Sequence, residues 1–144
     1  MVLALKHCHD KRILHRDLKA QNIFLTSKNF IKLGDFGIAK VLEHTMDKAR
    51  TIVGTPFYVS PEIIDGMPYG FASDIWSLGV ILYEMCALKP PFVANSLSGL
   101  GMKIIKGDYQ PIPGHYSREL HNLVGQMLTL NPKKRPIIGR LLST

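Results

Sequence analysis

His15-Arg16-Asp17-Leu18-Lys19-Ala20-Gln21-Asn22 runs directly into two short segments rich in β-branched and aromatic residues, Ile23-Phe24-Leu25-Thr26 and Phe30-Ile31-Lys32-Leu33. Ser27-Lys28-Asn29 separates them with turn composition, so the pattern predicts a β-hairpin. An antiparallel ladder of this kind pairs positions symmetric about Lys28. Asn22 then falls opposite Gly34, with backbones about 5 Å apart, and Asp35 of the triplet Asp35-Phe36-Gly37 follows immediately. The hairpin therefore brings an amide oxygen and a carboxylate to one end. Such a donor set suits a small hard cation that prefers oxygen and retains water and phosphate oxygens, which points to magnesium carried with a nucleotide.

Asp17 precedes Asn22 on the loop that enters the same hairpin, where it can face a substrate hydroxyl while Lys19 lies against a transferred phosphate. An aspartate with a pKa near ~4 is a weak base towards an alcohol, so its work is to orient the hydroxyl and accept the proton late. Charge stabilisation and alignment must supply most of the rate. The motif is specific. Its six fixed residues, at about one in twenty each, match by chance on the order of 10^-8 per start position.

Outward from the hairpin, helical patterns dominate, and the expected class is mostly α (α+β). Ile75 to Leu88 is the longest apolar stretch, broken by Ser77, Gly79, Tyr83 and Glu84. It is too short to cross a bilayer and reads as a core helix apolar on most sides, with Ser73 able to cap it. Leu97, Leu100, Ile104 and Ile105 form a second helical stripe. Ser117 can cap a third helix that turns Leu120, Leu123, Val124, Met127 and Leu128 inward. Residues 35–62 contain Gly37, Gly54 and Pro56 and little apolar period, as a functional loop would.

With these motifs in place, the chain resembles the C-terminal lobe of a eukaryotic Ser/Thr protein kinase, and within that family the NIMA-related group. Ala4 to Leu14 resembles the end of the helix before the catalytic loop. Gly54-Thr55-Pro56-Phe57-Tyr58 with Ser60-Pro61-Glu62 resembles the close of the activation segment. Ser73-Asp74-Ile75-Trp76-Ser77-Leu78-Gly79 resembles the buried central helix, Leu88-Lys89-Pro90-Pro91-Phe92 its exit, and Asn131-Pro132-Lys133-Lys134-Arg135-Pro136 the final helix pair. Ala20-Gln21 before Asn22, Phe24, and Gly34 ahead of the triplet favour the NIMA-related group. Residues 1–144 would form one domain, a kinase-like helical bundle with a small β-hairpin, containing a catalytic loop at 15–22 and an activation segment at 35–62.

The resemblance implies a role for each matching residue. Asp17 is the catalytic base, Lys19 contacts the γ-phosphate, Asn22 and Asp35 hold Mg2+, and Phe24 lies beneath the adenine of ATP. Thr55 helps hold substrate near Asp17. His15 and Phe36 belong to a hydrophobic column. Arg16 is the partner of a phosphate on the activation segment, where a bidentate guanidinium contact would order the loop. Thr51 is the candidate phosphosite, its bland alternative being an ordinary loop threonine. Glu62 and Arg135 resemble a long-range structural ion pair, which would leave Lys133-Lys134-Arg135 too short a run for a nuclear-import or nucleic-acid patch.

Composition excludes several classes. At 46% hydrophobic and 20% charged over 144 residues, one core burying about two-thirds of the unfolded surface is expected. Met1-Val2-Leu3-Ala4-Leu5 is too short for a secretory h-region. Cys8 and Cys86 lack paired spacing and read as reduced core thiols, and His7-Cys8-His9 diverges on a helix without a second ligand cluster. The formal net charge of +7 is scattered and not interleaved with aromatics, so neither nucleic acid nor membrane is an expected partner. Protein substrates with Ser or Thr acceptors are, in a cytoplasmic setting that leaves nuclear or cytoskeletal association open; oligomeric state is not readable. No glycine-rich loop or strand lysine precedes His15, so the chain is expected to be a fragment that alone binds Mg-ATP weakly and transfers no phosphate measurably. The alternative is a non-catalytic interaction module that keeps the shape of the lobe.

Overall fold

The structure is a computed structural model that describes residues 1–34 and 56–142. Helix α1 (Val2–Asp10) leads through an irregular loop to a 3-10 turn, Ala20–Asn22, and then to strands β1 (Ile23–Leu25) and β2 (Ile31–Leu33). Helices α2 (Pro61–Ile64), α3 (Phe71–Ala87), α4 (Leu97–Lys106) and α5 (Arg118–Met127) follow, and 3-10 turns at Pro132–Lys134 and Ile138–Leu142 close the described chain.

The hairpin has the register read from the sequence. Ile23 pairs with Leu33, Phe24 with Lys32 and Leu25 with Ile31. The Gly34 N–H donates to the Asn22 carbonyl at 3.0 Å, which extends the pairing one step below the strands. At the other end the chain reverses with Asn29 at φ 59°, a left-handed conformation that asparagine tolerates. The Thr26 N–H donates to the Phe30 carbonyl at 2.9 Å, while the Phe30 N–H turns to Thr26 Oγ1 at 3.0 Å.

Helix α3 is the axis of the molecule, and its sequence explains why. Trp76, Val80 and Tyr83 recur at helical spacing on one side and pack with Phe92, Leu100 and Val124. Ile75, Leu78 and Ile81 occupy another side and pack with Leu5, Leu18 and Met127. The helix thus lies between two apolar clusters and is buried almost all round. Gly79 permits the approach of α5, because a Cβ there would lie 2.8 Å from Met127 Cβ and 3.4 Å from the Met127 carbonyl carbon. Leu88 ends α3 at φ 55° and is itself 91% exposed, ahead of Pro90 and Pro91. Among the described residues no helix is long and apolar enough to cross a membrane.

Three readings of the sequence need correction. Ser73 is not the N-cap of α3 but its third residue; its hydroxyl reaches back to accept from the Gly70 N–H at 3.2 Å. In α4 only Leu100 and Ile104 are buried, whereas Leu97 is 55% and Ile105 36% exposed, since a helix lying on one surface can bury only the narrow part of its apolar stripe. Helix α1 stops at Asp10, not near Leu14, and the chain turns at Arg12 with φ 61°. The Ser117 cap stands: its hydroxyl accepts from the Leu120 N–H at 3.3 Å, with Val124, Met127 and Leu128 buried. Cys8 and Cys86 are free and buried.

Candidate active site

Leu18 is buried in the core, and this anchors a loop whose neighbours Asp17 and Lys19 must then face outward. Lys19 Nζ donates to Asp17 Oδ2 at 2.8 Å. Asn22 Nδ2 donates to the Asp17 backbone carbonyl at 2.7 Å and to Asp17 Oδ2 at 3.1 Å. Three residues named from the sequence are therefore one cluster. Asp17 retains 22% and Lys19 35% side-chain exposure, while Asn22 is buried.

His15 ties this cluster to the hairpin. Its ring Nε2 lies 3.1 Å from the Gly34 carbonyl, an acceptor, so Nε2 carries the hydrogen. Nδ1 is then the lone-pair nitrogen, 3.4 Å from the Asp17 N–H. Gly34 is consequently held on both sides, by Asn22 through its N–H and by His15 through its carbonyl. Phe24 is 49% exposed and lies over Gly34, where a Cβ would come 2.8 Å from its ring Cε2.

The loop geometry has its origin in a residue that sequence reading assigned only to the central helix. Asp74, fully buried in the first turn of α3, accepts from the backbone N–H groups of His15 at 3.0 Å and Arg16 at 3.1 Å. Its carboxylate also receives His9 Nε2 at 2.9 Å and the Tyr69 hydroxyl at 2.6 Å. Burial opposes ionisation, yet these four donors outweigh it and hold the carboxyl below the usual aspartate range. Arg16 adopts φ 69°, a left-handed conformation that bonding of its N–H to Asp74 helps to maintain. The signal was present in the sequence: a carboxylate inside an apolar helical run must find donors.

Residues 56–62 are fastened to the same helix. Ser77 Oγ donates to the Tyr58 carbonyl at 2.8 Å, and the Tyr58 hydroxyl donates to Glu84 Oε2 at 2.6 Å. Burial, reinforced by the hydrogen bond to the Glu84 carboxylate, pushes the Tyr58 phenol up to about 12. Glu62 and Arg135 form the long-range pair read from the sequence, with two bonds of 2.7 Å. Arg135 spends its remaining donors on the carbonyls of Thr129, Leu130 and Ala72, and its guanidinium carbon lies 4.9 Å from the Trp76 ring centre. Lys133 and Lys134 stay exposed, so the basic triplet is divided between core and solvent.

Arg16 presents a half-buried side chain whose guanidinium has no hydrogen bond or ion pair among the described residues. Asp35, Phe36, Thr51 and Thr55 lie outside the described residues.

A family model described as the protein kinase domain matches residues 1–144. Serine/threonine-protein kinase Nek1 of Mus musculus is 52% identical over 140 residues, a match covering 97% of this chain and 12% of that protein. Nek5 of Homo sapiens is 53% identical over 141 residues, with 97% and 20% covered. Nek3 of Mus musculus is 54% identical over 140 residues, with 97% and 27% covered. The chain thus spans between 12% and 27% of the length of these relatives. An Asp17–Lys19–Asn22 cluster held by a buried helix, together with a match running from end to end, places the chain in the protein kinase domain family, where these Nek kinases share about half of its residues.

Proposed function

We propose that this chain is the C-terminal lobe of a Ser/Thr protein kinase, and that within a complete catalytic domain it transfers the γ-phosphate of ATP to Ser and Thr hydroxyls of proteins. The observation that carries the reading is the pair of hydrogen bonds that Asn22 Nδ2 donates to the Asp17 carbonyl and carboxylate, at 2.7 and 3.1 Å. With the amide nitrogen engaged by Asp17, the amide oxygen is the group assigned to an ion, and the Asn22 backbone is paired with Gly34, the residue before Asp35. An amide oxygen beside a carboxylate is a donor set that fits magnesium, so Asn22 and Asp35 are assigned as its ligands. Bound there, the ion would supply neutralisation of phosphate charge.

The chain's own residues divide the remaining work. Asp17 Oδ2 orients the acceptor hydroxyl and takes its proton, and Lys19, already 2.8 Å from that oxygen, moves its charge to the transferred phosphate. Phe24 offers its exposed ring to adenine. Arg16, with its backbone fixed and its guanidinium unengaged among the described residues, is the receptor for a phosphate on Thr51, and Thr55 positions substrate. Radiolabelled ATP with a generic Ser/Thr protein substrate tests the reading. A complete catalytic domain containing this chain should label the substrate and lose that on Asp17→Asn, whereas the 144-residue chain alone should label nothing. Undiminished transfer in the variant would refute the assignment, and nucleotide-independent capture of a protein by an inactive domain would favour the interaction module.

A further inference from the structure

The Asp74 carboxylate is held symmetrically. Oδ2 accepts the His15 N–H and His9 Nε2, while Oδ1 accepts the Arg16 N–H and the Tyr69 hydroxyl. Each oxygen thus binds one loop amide and one side chain. The two side chains arrive from different elements, His9 from the last turn of α1 and Tyr69 from the segment just before α3.

We propose that Tyr69 is a positioning residue for the catalytic loop: its hydroxyl fixes Asp74 Oδ1 so that the oxygen holds Arg16 in its left-handed turn, which sets Asp17 against Lys19 and Asn22. At 2.6 Å the Tyr69 bond is the shortest of the four to this carboxylate and lies in the range of charge-assisted O–H···O⁻ contacts. Asp74 is fully buried, so solvent cannot replace a lost donor without opening a cavity. Removal of the phenol oxygen alone preserves the ring and leaves Oδ1 with the Arg16 N–H as its single donor among the described residues. The carboxylate is then free to rotate towards the better-satisfied Oδ2 side. Arg16 at φ 69° is the residue that pays, since a side chain with a Cβ has little intrinsic preference for that conformation. His15 is not exposed to the same loss, because its amide shares Oδ2 with His9. Burial and the neighbouring Asp74 charge push the Tyr69 phenol far up, so it remains a donor wherever the chain is folded.

Only the kinetic consequence rests on the phosphotransfer reading. Amide hydrogen exchange followed by NMR on the 144-residue chain tests the geometry directly. In Tyr69→Phe, protection of the Arg16 amide should fall about tenfold relative to His15, with the α3 amides unchanged. Unchanged Arg16 protection would overturn the proposal, and so would a uniform fall across His15, Arg16 and α3, which marks general destabilisation. Should that variant not fold, uniform 3-fluorotyrosine labelling makes the phenol a stronger donor. The Arg16 amide resonance should then shift more than that of His15, and an unmoved Arg16 resonance would overturn the proposal. In a complete catalytic domain, Tyr69→Phe should lower kcat about tenfold with KM for ATP unchanged; a raised KM at constant kcat counts against it. A domain that is inactive even before substitution, but shows the selective Arg16 effect, removes the phosphotransfer reading and keeps this one.

Discussion

Glu62 and Arg135 lie 73 residues apart and meet through two parallel hydrogen bonds of 2.7 Å, with Glu62 also accepting the Ser73 hydroxyl at 2.7 Å. Both side chains are nearly closed to solvent. Deleting either partner strands a charge in the interior, so Glu62→Ala should cost about 3–5 kcal/mol in urea denaturation. Arg135→Lys should recover little of that, because one ammonium cannot serve Glu62 and the carbonyls of Thr129, Leu130 and Ala72 together.

Acid should weaken the fold through two carboxylates. Burial works against ionisation of Glu62 and Asp74, but their hydrogen-bond donors prevail and both carboxyls sit below their ordinary values of 4.5 and 3.8. Each therefore contributes stability that is present above its unfolded pKa and lost as the pH falls through its folded pKa. Urea midpoints should be flat near neutrality and decline below about pH 4.5. In Asp74→Asn the starting stability should be lower and the acid decline shallower.

Glycine at 79 and at 34 serves two different fits. A methyl group at 79 would lie 2.8 Å from Met127 Cβ, 3.1 Å from Leu128 Cδ2 and 3.4 Å from the Met127 carbonyl carbon, so α3 and α5 would have to shift apart. Gly79→Ala should cost about 1–3 kcal/mol. At 34 the obstacle among the described residues is the exposed ring of Phe24, so Gly34→Ala should cost about 1 kcal/mol or less and displace the ring. Ring-current shifts in NMR spectra would show that displacement, and ADP affinity of a complete domain should weaken with it.

Asp17→Asn should leave stability within about 1 kcal/mol, since its ion pair with Lys19 is partly exposed. Turnover in a complete domain should fall about 10^2- to 10^4-fold. Thermal denaturation run beside the kinetic assay separates the two effects.

The hairpin's register was legible because side-chain alternation and a short turn leave a hairpin little freedom: symmetry about Lys28 put Asn22 against Gly34, where the Gly34 N–H is found. The supports were less legible. Asp74 reads as one polar interruption in an apolar run, and nothing local to it says that His9, Tyr69 and two loop amides converge on it from up to 65 residues away. Leu97 and Ile105 belong to the right helix, but the width of the surface beneath α4 is a tertiary quantity. Ser73 looked like a cap because serine commonly is one, whereas it lies inside the first turn, its hydroxyl accepting the Gly70 N–H while donating to Glu62.

On a helix with 3.6 residues per turn, Ser73, Ser77 and Glu84 fall within about 40° of one another, and Asp74 lies about 100° round from Ser73. The first three grip Glu62 and Tyr58, and the fourth grips the loop bearing Asp17. The segment at 56–62 and the loop at 15–22 are thus indexed to one screw thread. Inserting a single residue between Ser77 and Glu84 would swing the Tyr58 hydroxyl's acceptor roughly a quarter turn away while leaving the Asp74 end in place.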